Sequence, residues 1–223
     1  MCAIIGYSLN SKTYPTNYIK WLHQGVKLMA HRGPDDEGVF LSDDNEIGLG
    51  HRRLSVIDLS NFGKQPMKNL NKNLIITFNG EIYNFKELKN TLVELGYCFN
   101  SRTDTEVILY AYQEWGVDCL SKLKGMFAFT IFDKIKNIFF CARDRVGEKP
   151  FYYSFLNKNF FFASELKVFL KSDLFSRKIN KQALDCYLAY GYIPGEFCIA
   201  ENIKKLPPSH AMIFDIKAFY IFL

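Results

Sequence analysis

Apolar positions along the chain gather into short runs with two spacings. CAIIGYSL, residues 2–9, is apolar and partly β-branched, which predicts a buried strand. In PTNYIKWLHQGVKLMAHRG the residues Ile19, Leu22, Val26 and Met29 recur at helical spacing, and Gly33-Pro34 ends the helix. Extended pieces follow in EGVFLSD, IGLGHRRLSV, LIITFNG and FAFTIFD, while NFKELKNTLVELG and DTEVILYAYQEWG predict helices. Asn84 is the candidate cap of the first of these, and Thr103 with Glu106 has the spacing of a capping box for the second.

Two hairpins are expected. MFAFTIF and NIFFCA flank the polar loop Asp133–Asn137, and FYYSFL and NFFFAS meet at Asn157-Lys158-Asn159. These strands are apolar at nearly every position, so both of their faces need cover. Two packed sheets with amphipathic helices outside satisfy that need. Beyond Gly191 the residues Pro194, Gly195, Pro207 and Pro208 break up the apolar pieces, and a boundary is expected near residue 190.

With 223 residues, 48% of them hydrophobic, the chain is long enough for one large core, with or without an appendage. The net charge of +5 is scattered without a basic run, which points away from nucleic acid and membrane partners. Cys2, Cys98, Cys119, Cys141, Cys186 and Cys198 form no C-x-x-C pair, and the histidines have no partner spacing, so no metal site is expected. The start MCAIIGYSL lacks the features of a signal peptide, and AFYIFL is far shorter than the roughly 20 residues of a membrane helix. The expectation is a soluble, cytoplasmic protein.

Cys2 is the candidate nucleophile. Removal of Met1 would place a thiol and a free α-amine on one residue, and an α-amine with a pKa of roughly 7.7–8.0 is partly a free base near neutrality. On its own, Cys2 reads as the buried edge of a strand sooner than as a nucleophile. FNGEIYN follows an apolar strand. There Asn79 and Gly80 read as a turn or as two N–H donors for a developing oxyanion, with Glu81 adding a carboxylate. GHRRLSVID sets two arginines in a strand, either solvated or clamping a carboxylate. Asp104 stands at a helix start, as a cap or as the partner of a ligand's ammonium group. Taken together these groups describe a pocket for a zwitterionic amino acid, and a small amide of that shape is glutamine.

MCAIIG, HRGPDDEG, GHRRLSVID, FNGEIYN, TDTEVIL, GMFAFTIFD and RDRVGEKPFYY, in this order over residues 2 to about 170, resemble the glutamine-hydrolysing domain of asparagine synthetases. YGYIPG and IKKLPPSHAMIF resemble the connecting region that follows in that family. The resemblance implies an α+β fold, a four-layer αββα sandwich of the N-terminal-nucleophile hydrolase type. It implies Cys2 as nucleophile, Asn79 and Gly80 as oxyanion donors, Arg53 on the substrate carboxylate, and Glu81 and Asp104 on its ammonium. The binding stretch it implies is Arg53, Leu54, Ser55, Val56 and Ile57, with His31 to Asp35 shaping the pocket only. Other enzymes with this domain type carry a threonine-arginine-tryptophan stretch and a histidine before the Asn-Gly. Here HRRLSVID and Phe78 stand in those places, which favours the asparagine synthetase branch.

Residues 2–190 are thus expected to form a class II glutamine amidotransferase domain, and 191–223 a truncated connector toward a missing ATP-dependent synthetase domain. No serine-glycine-glycine-leucine-aspartate-serine loop occurs in the sequence. Glutaminase activity without a cofactor is therefore expected, ATP and magnesium belonging to the synthetase step. The expected partners are glutamine and a separate ATP-dependent synthetase chain or a second copy in a homodimer. The alternative is a non-catalytic, truncated synthetase fragment that binds glutamine or a partner subunit, for which the expectation is that Phe214, Phe219, Tyr220 and Phe222 pack on something outside this chain.

Overall fold

The computed structural model describes residues 1–10, 15–218 and 220–222. In chain order the elements are β1 (Ala3–Ser8), α1 (Thr16–Leu28), β2 (Asp36–Leu41), β3 (Ile47–Arg53), β4 (Met67–Lys68), β5 (Leu74–Ile82), α2 (Phe85–Glu94), α3 (Asp104–Trp115) and α4 (Cys119–Lys122). Then follow β6 (Gly125–Asp133), β7 (Ile138–Arg143), β8 (Tyr152–Leu156), β9 (Asn159–Ala163), α5 (Lys167–Leu170), α6 (Lys181–Tyr190), β10 (Ile203–Lys205), β11 (Ala211–Asp215) and β12 (Tyr220–Phe222). They build two six-stranded antiparallel sheets, ordered β10-β8-β9-β1-β3-β2 and β12-β11-β7-β6-β5-β4.

The all-apolar strands are explained by strict alternation between two covered faces. Ile4 of β1, Phe160 and Phe162 of β9, Ala128 and Phe132 of β6 and Phe139 of β7 point between the sheets. Their neighbours Ile5, Tyr7 and Phe161 face α1 and α5. Phe127, Phe129, Ile131 and Phe140 face α2 and α3. Three apolar layers therefore separate four layers of secondary structure, the αββα sandwich. Phe139 spans the central layer, its ring 6.1 Å from those of both Phe160 and Phe162 on the opposite sheet. Each such side chain contributes about 1.5–3 kcal/mol through burial.

The two hairpins lie where the pattern puts them. Asn157 and Lys158 join β8 to β9 with φ of 51° and 62°, the left-handed pair that a tight two-residue turn requires. Thr103 caps α3 by accepting from the Glu106 amide at 3.3 Å, but the capping box is only half formed. The Glu106 carboxylate instead accepts from the amides of Asn100 and Ser101, at 3.0 and 2.7 Å. Asn84 does not cap α2. Its side chain donates to the Lys122 carbonyl at 3.0 Å and accepts from the Lys124 amide at 2.9 Å, tying the start of α2 to the loop before β6.

The stretch expected to be a connector supplies β10 to one sheet and β11 and β12 to the other. β10 pairs with β8 and β11 with β7, so residues 203–205 and 211–215 pack as part of the same body. Phe214 corrects the expectation of outward packing: it is fully buried and stacks on Phe160 at 4.9 Å, because β11 extends the second sheet over the central layer. The side chains of residues 219–223 lie outside the described residues. No helix among those described is long and apolar enough to cross a membrane.

Candidate functional site

The antiparallel register sets Ala3 of β1 opposite Arg52 of β3, which brings the residue before the strand to the end of β3. A cavity of about 130 Å³ opens there, between the start of β1, the end of β3, the second half of β5 and the N-terminus of α3. Cys2, Arg53, Asn79, Gly80, Glu81 and Asp104 all line it, as do Leu54, Val56 and Ile57. Ser55 does not. Its amide is turned away to Asp35, whose carboxylate accepts it at 2.7 Å.

The Cys2 sulfur is tethered to one backbone unit, with the thiol donating to the Leu54 carbonyl at 3.7 Å and accepting from the Leu54 amide at 3.4 Å. Burial pushes its pKa up, opposed by the Leu54 amide and by nearby positive charge, so the resting sulfur is a thiol. No side-chain base bonds it among the described residues. From behind, Arg32 Nε donates to the Cys2 carbonyl at 3.0 Å, and Glu165 holds Arg32 at 3.4 Å and His31 at 2.9 Å. His31 to Asp35 thus brace the walls without lining the cavity.

Asn79 is buried, and its Nδ2 has no hydrogen-bond partner among the described residues. Gly80 lies opposite Phe127 in β6, and Phe127 turns both its amide and its carbonyl to Asp144. The Gly80 N–H therefore faces away from β6, toward the cavity. A side chain at this position would meet the Met126 carbonyl oxygen and Phe127 Cα, so only glycine allows the close strand approach. Asn79, with its unpartnered Nδ2, and Gly80 consequently both border the space beside Cys2.

Opposite charges stand farther along the wall. The Arg53 guanidinium donates to the carbonyls of Ser60, at 3.1 Å, Ile57, at 3.4 Å, and Asp58. No carboxylate pairs with it among the described residues, so its charge is left for a ligand. It packs on Gly63, where a Cβ would strike the guanidinium. The Asp58 carboxylate fixes this loop by accepting from Ser60 and from the Arg102 amide, contacts that hold its pKa at about 2. Asp104 accepts from the Ile82 amide at 3.0 Å, and burial, with Glu81 adding repulsion, raises its pKa to about 6.

Gln65, Phe78, Thr105, Met126 and Lys149 also line the cavity and were not singled out from sequence. Lys149 Nζ contacts the Met1 sulfur at 3.3 Å, so Met1 stands in the cavity mouth. Lys149 lies within the motif RDRVGEKPFYY, but nothing local marks it as a wall residue. Among the described residues no cluster of three or more His, Cys, Asp or Glu side chains is arranged to hold a metal ion.

A family model described as "Glutamine amidotransferase domain" matches residues 1–220. A Methanocaldococcus jannaschii protein provisionally named asparagine synthetase (glutamine-hydrolyzing) 2 is 42% identical over 97% of this chain and 44% of its own length. Asparagine synthetase (glutamine-hydrolyzing) 1 of Bacillus subtilis is 37% identical over 93% of this chain and 32% of its own. This chain thus spans less than half the length of either relative. Among solved structures, a glutamine phosphoribosylpyrophosphate amidotransferase from B. subtilis superposes with a TM-score of 0.68. It is 18% identical and covers 99% of this chain and 49% of that one, a likeness of fold.

Proposed function

This chain belongs to the glutamine amidotransferase domain family, of the type that asparagine synthetases carry, and on that premise we propose that Cys2 hydrolyses glutamine to glutamate and ammonia. One observation carries the reading. Among the described residues, the Cys2 sulfur shares a cavity with two N–H donors that no acceptor claims, an arginine that no carboxylate pairs with and a carboxylate, Asp104, that no cation pairs with.

Removal of Met1 exposes the Cys2 α-amine and clears the cavity mouth. The amine accepts the thiol proton, and the sulfur attacks the side-chain carbonyl of glutamine. Asn79 Nδ2 and the Gly80 N–H stabilise the oxyanion as it forms. Arg53 holds the α-carboxylate, while Glu81 and Asp104 hold the α-ammonium. The protonated amine returns its proton to the departing nitrogen, which leaves as ammonia. Water, activated by the same amine, cleaves the thioester and releases glutamate. No step requires a metal or a cofactor. Within the asparagine synthetase family the ammonia serves an ATP-dependent amidation, carried out by residues beyond those described here or by a separate chain.

The direct test is glutamate release from glutamine by the purified chain, read with its intact mass. Turnover by the chain that has lost Met1, with none by the chain that keeps it, is the expected result. No turnover by the processed, folded chain would favour a binding-only fragment.

Asp104 supplies a pH dependence. Its folded pKa, about 6, lies above the ordinary carboxylate value of 3.8, so it loses its charge as pH falls through 6. The KM for glutamine should therefore rise below pH 6 in wild type, and Asp104→Asn should raise KM at every pH. The stability effect has the opposite sign. A raised folded pKa means that the neutral form favours the fold, fully below pH 3.8 and progressively less as pH rises through 6. Asp104→Asn should accordingly stabilise the chain at pH 7–8 by about 1–3 kcal/mol, read by denaturant unfolding. A destabilised variant would sink the burial argument.

A further inference from the structure

Phe78 stands directly before the Asn79–Gly80 pair, and both polar atoms of its backbone are held by side chains instead of a strand. β4 pairs only with Ile75 and Ile76 of β5, so past that point this edge of β5 has no strand neighbour. The Phe78 amide donates to Gln65 Oε1 at 2.7 Å. The Phe78 carbonyl accepts from His51 Nε2 at 3.0 Å. His51 is fully buried on β3, in the other sheet, and its reach across is reinforced by Thr77 Oγ1 donating to the Gly50 carbonyl at 3.0 Å. Gln65 continues the chain of contacts, its Nε2 donating at 3.1 Å to Thr105 Oγ1, beside Asp104 on α3.

Down one edge of β5 the amides therefore meet four fates in turn. Residue 76 pairs with β4, residue 78 with Gln65, residue 80 with no partner among the described residues, and residue 82 with Asp104. β6 holds the opposite edge of β5 along its whole length, but on this edge Gly80 lies between two amides fixed by side chains, and an oxyanion site has to be held within about 0.5 Å. The anchors on either side of Gly80 supply that constraint.

We propose that His51 and Gln65 are positioning residues for glutamine hydrolysis, clamping the Phe78 peptide so that the Asn79 and Gly80 donors stay aimed at the oxyanion. The proposal rests on the glutaminase reading above. The two clamps differ in reach. His51 touches only β5 within the site and should act on the oxyanion alone, whereas Gln65 also bridges to α3 and should act on ammonium binding as well. Burial pushes the His51 pKa down to about 4, so the ring stays neutral and donates from Nε2 across the working pH range.

The experiment compares His51→Leu, His51→Gln and Gln65→Leu with wild type in glutamine turnover, thermal unfolding and alkylation of Cys2 by iodoacetamide. Alkylation displaces iodide from a saturated carbon and forms no tetrahedral oxyanion. It reports the sulfur without the donors. His51→Leu should lower kcat about 10- to 100-fold with KM and alkylation rate unchanged, because about 1 Å of misplacement costs that much. In His51→Gln the amide nitrogen can take the place of Nε2 and should restore kcat to within about threefold. Gln65→Leu should lower kcat and raise KM together, and it supplies the test if both His51 variants fail to fold. Wild-type kcat in His51→Leu or Gln65→Leu would overturn the clamp, as would a parallel loss of alkylation. No hydrolysis by wild type would instead overturn the glutaminase reading itself, and the clamp's stated purpose with it.

Discussion

Cys2→Ala is expected to abolish glutamine hydrolysis and to leave the fold intact. The substitution removes one sulfur whose contacts are a long S–H bond to the Leu54 carbonyl and a 3.4 Å bond from the Leu54 amide. Neither contributes more than a fraction of the roughly 1 kcal/mol of an ordinary hydrogen bond. The stability of the terminus comes from β1, which is paired on both sides by β3 and β9. The chemical consequence expected from the proposed mechanism is of another order, because among the described residues no second thiol lines the cavity to form the thioester. Loss of a nucleophile costs about 10⁴- to 10⁶-fold in kcat, which for this slow reference reaction is no detectable turnover. Glutamate release and thermal unfolding, measured on the same preparation, decide the matter. Retained turnover would remove Cys2 from the mechanism, and a collapsed melting transition would place its role in the fold.

Asn79→Ala is expected to produce the second-largest loss, about 10²- to 10³-fold in kcat with KM changed by less than about threefold. The split follows from geometry. Asn79 Nδ2 has no partner in the resting protein and would gain one only when the carbonyl oxygen becomes an oxyanion. Stability should hardly change. An unsatisfied buried donor costs about 1–3 kcal/mol, and removing it offsets the small void that alanine leaves. A variant that loses KM as strongly as kcat would make Asn79 a ground-state contact. A variant that unfolds would make it a structural one.

Most of the fold was legible in the sequence because alternation between two apolar faces leaves an unmistakable mark. Strands such as MFAFTIF and NFFFAS have no polar face, and only a doubly covered sheet accepts them. β10 and β11 were not legible as strands. They are three and five residues long and separated by a turn containing Pro207 and Pro208, and their place is set by pairing with β8 and β7, far back in the chain. Local rules also failed where a distant partner offered better geometry. Asn84 has the chemistry of a cap but is taken by the Lys122–Lys124 backbone, and Glu106 completes no capping box because two other amides claim it.

The wall residues divide along the same line. Cys2, Arg53, Asn79, Gly80, Glu81 and Asp104 were picked out as functional groups set at strand and helix ends, where side chains reach open space. Gln65, Thr105 and Lys149 carry no local mark. Gln65 acts through Phe78, thirteen residues on, and Lys149 meets Met1 across 148 positions. Ser55 shows the converse. It sits within the stretch that the resemblance implies for binding, but its amide is committed to Asp35 and it does not line the cavity.

The strand order has a consequence in time. β1 precedes every other described strand in the chain, yet one of its two neighbours, β9, begins only at Asn159. At synthesis rates of about 5–20 residues per second, the strand behind Cys2 waits roughly 10–30 s for that edge to be covered. Throughout that interval the terminus projects from an unfinished sheet, open to the aminopeptidase that would have to trim it. Under the proposed mechanism, removal of Met1 can thus precede the cavity that uses Cys2, and the thiol would gain its setting only when the sandwich closes around it.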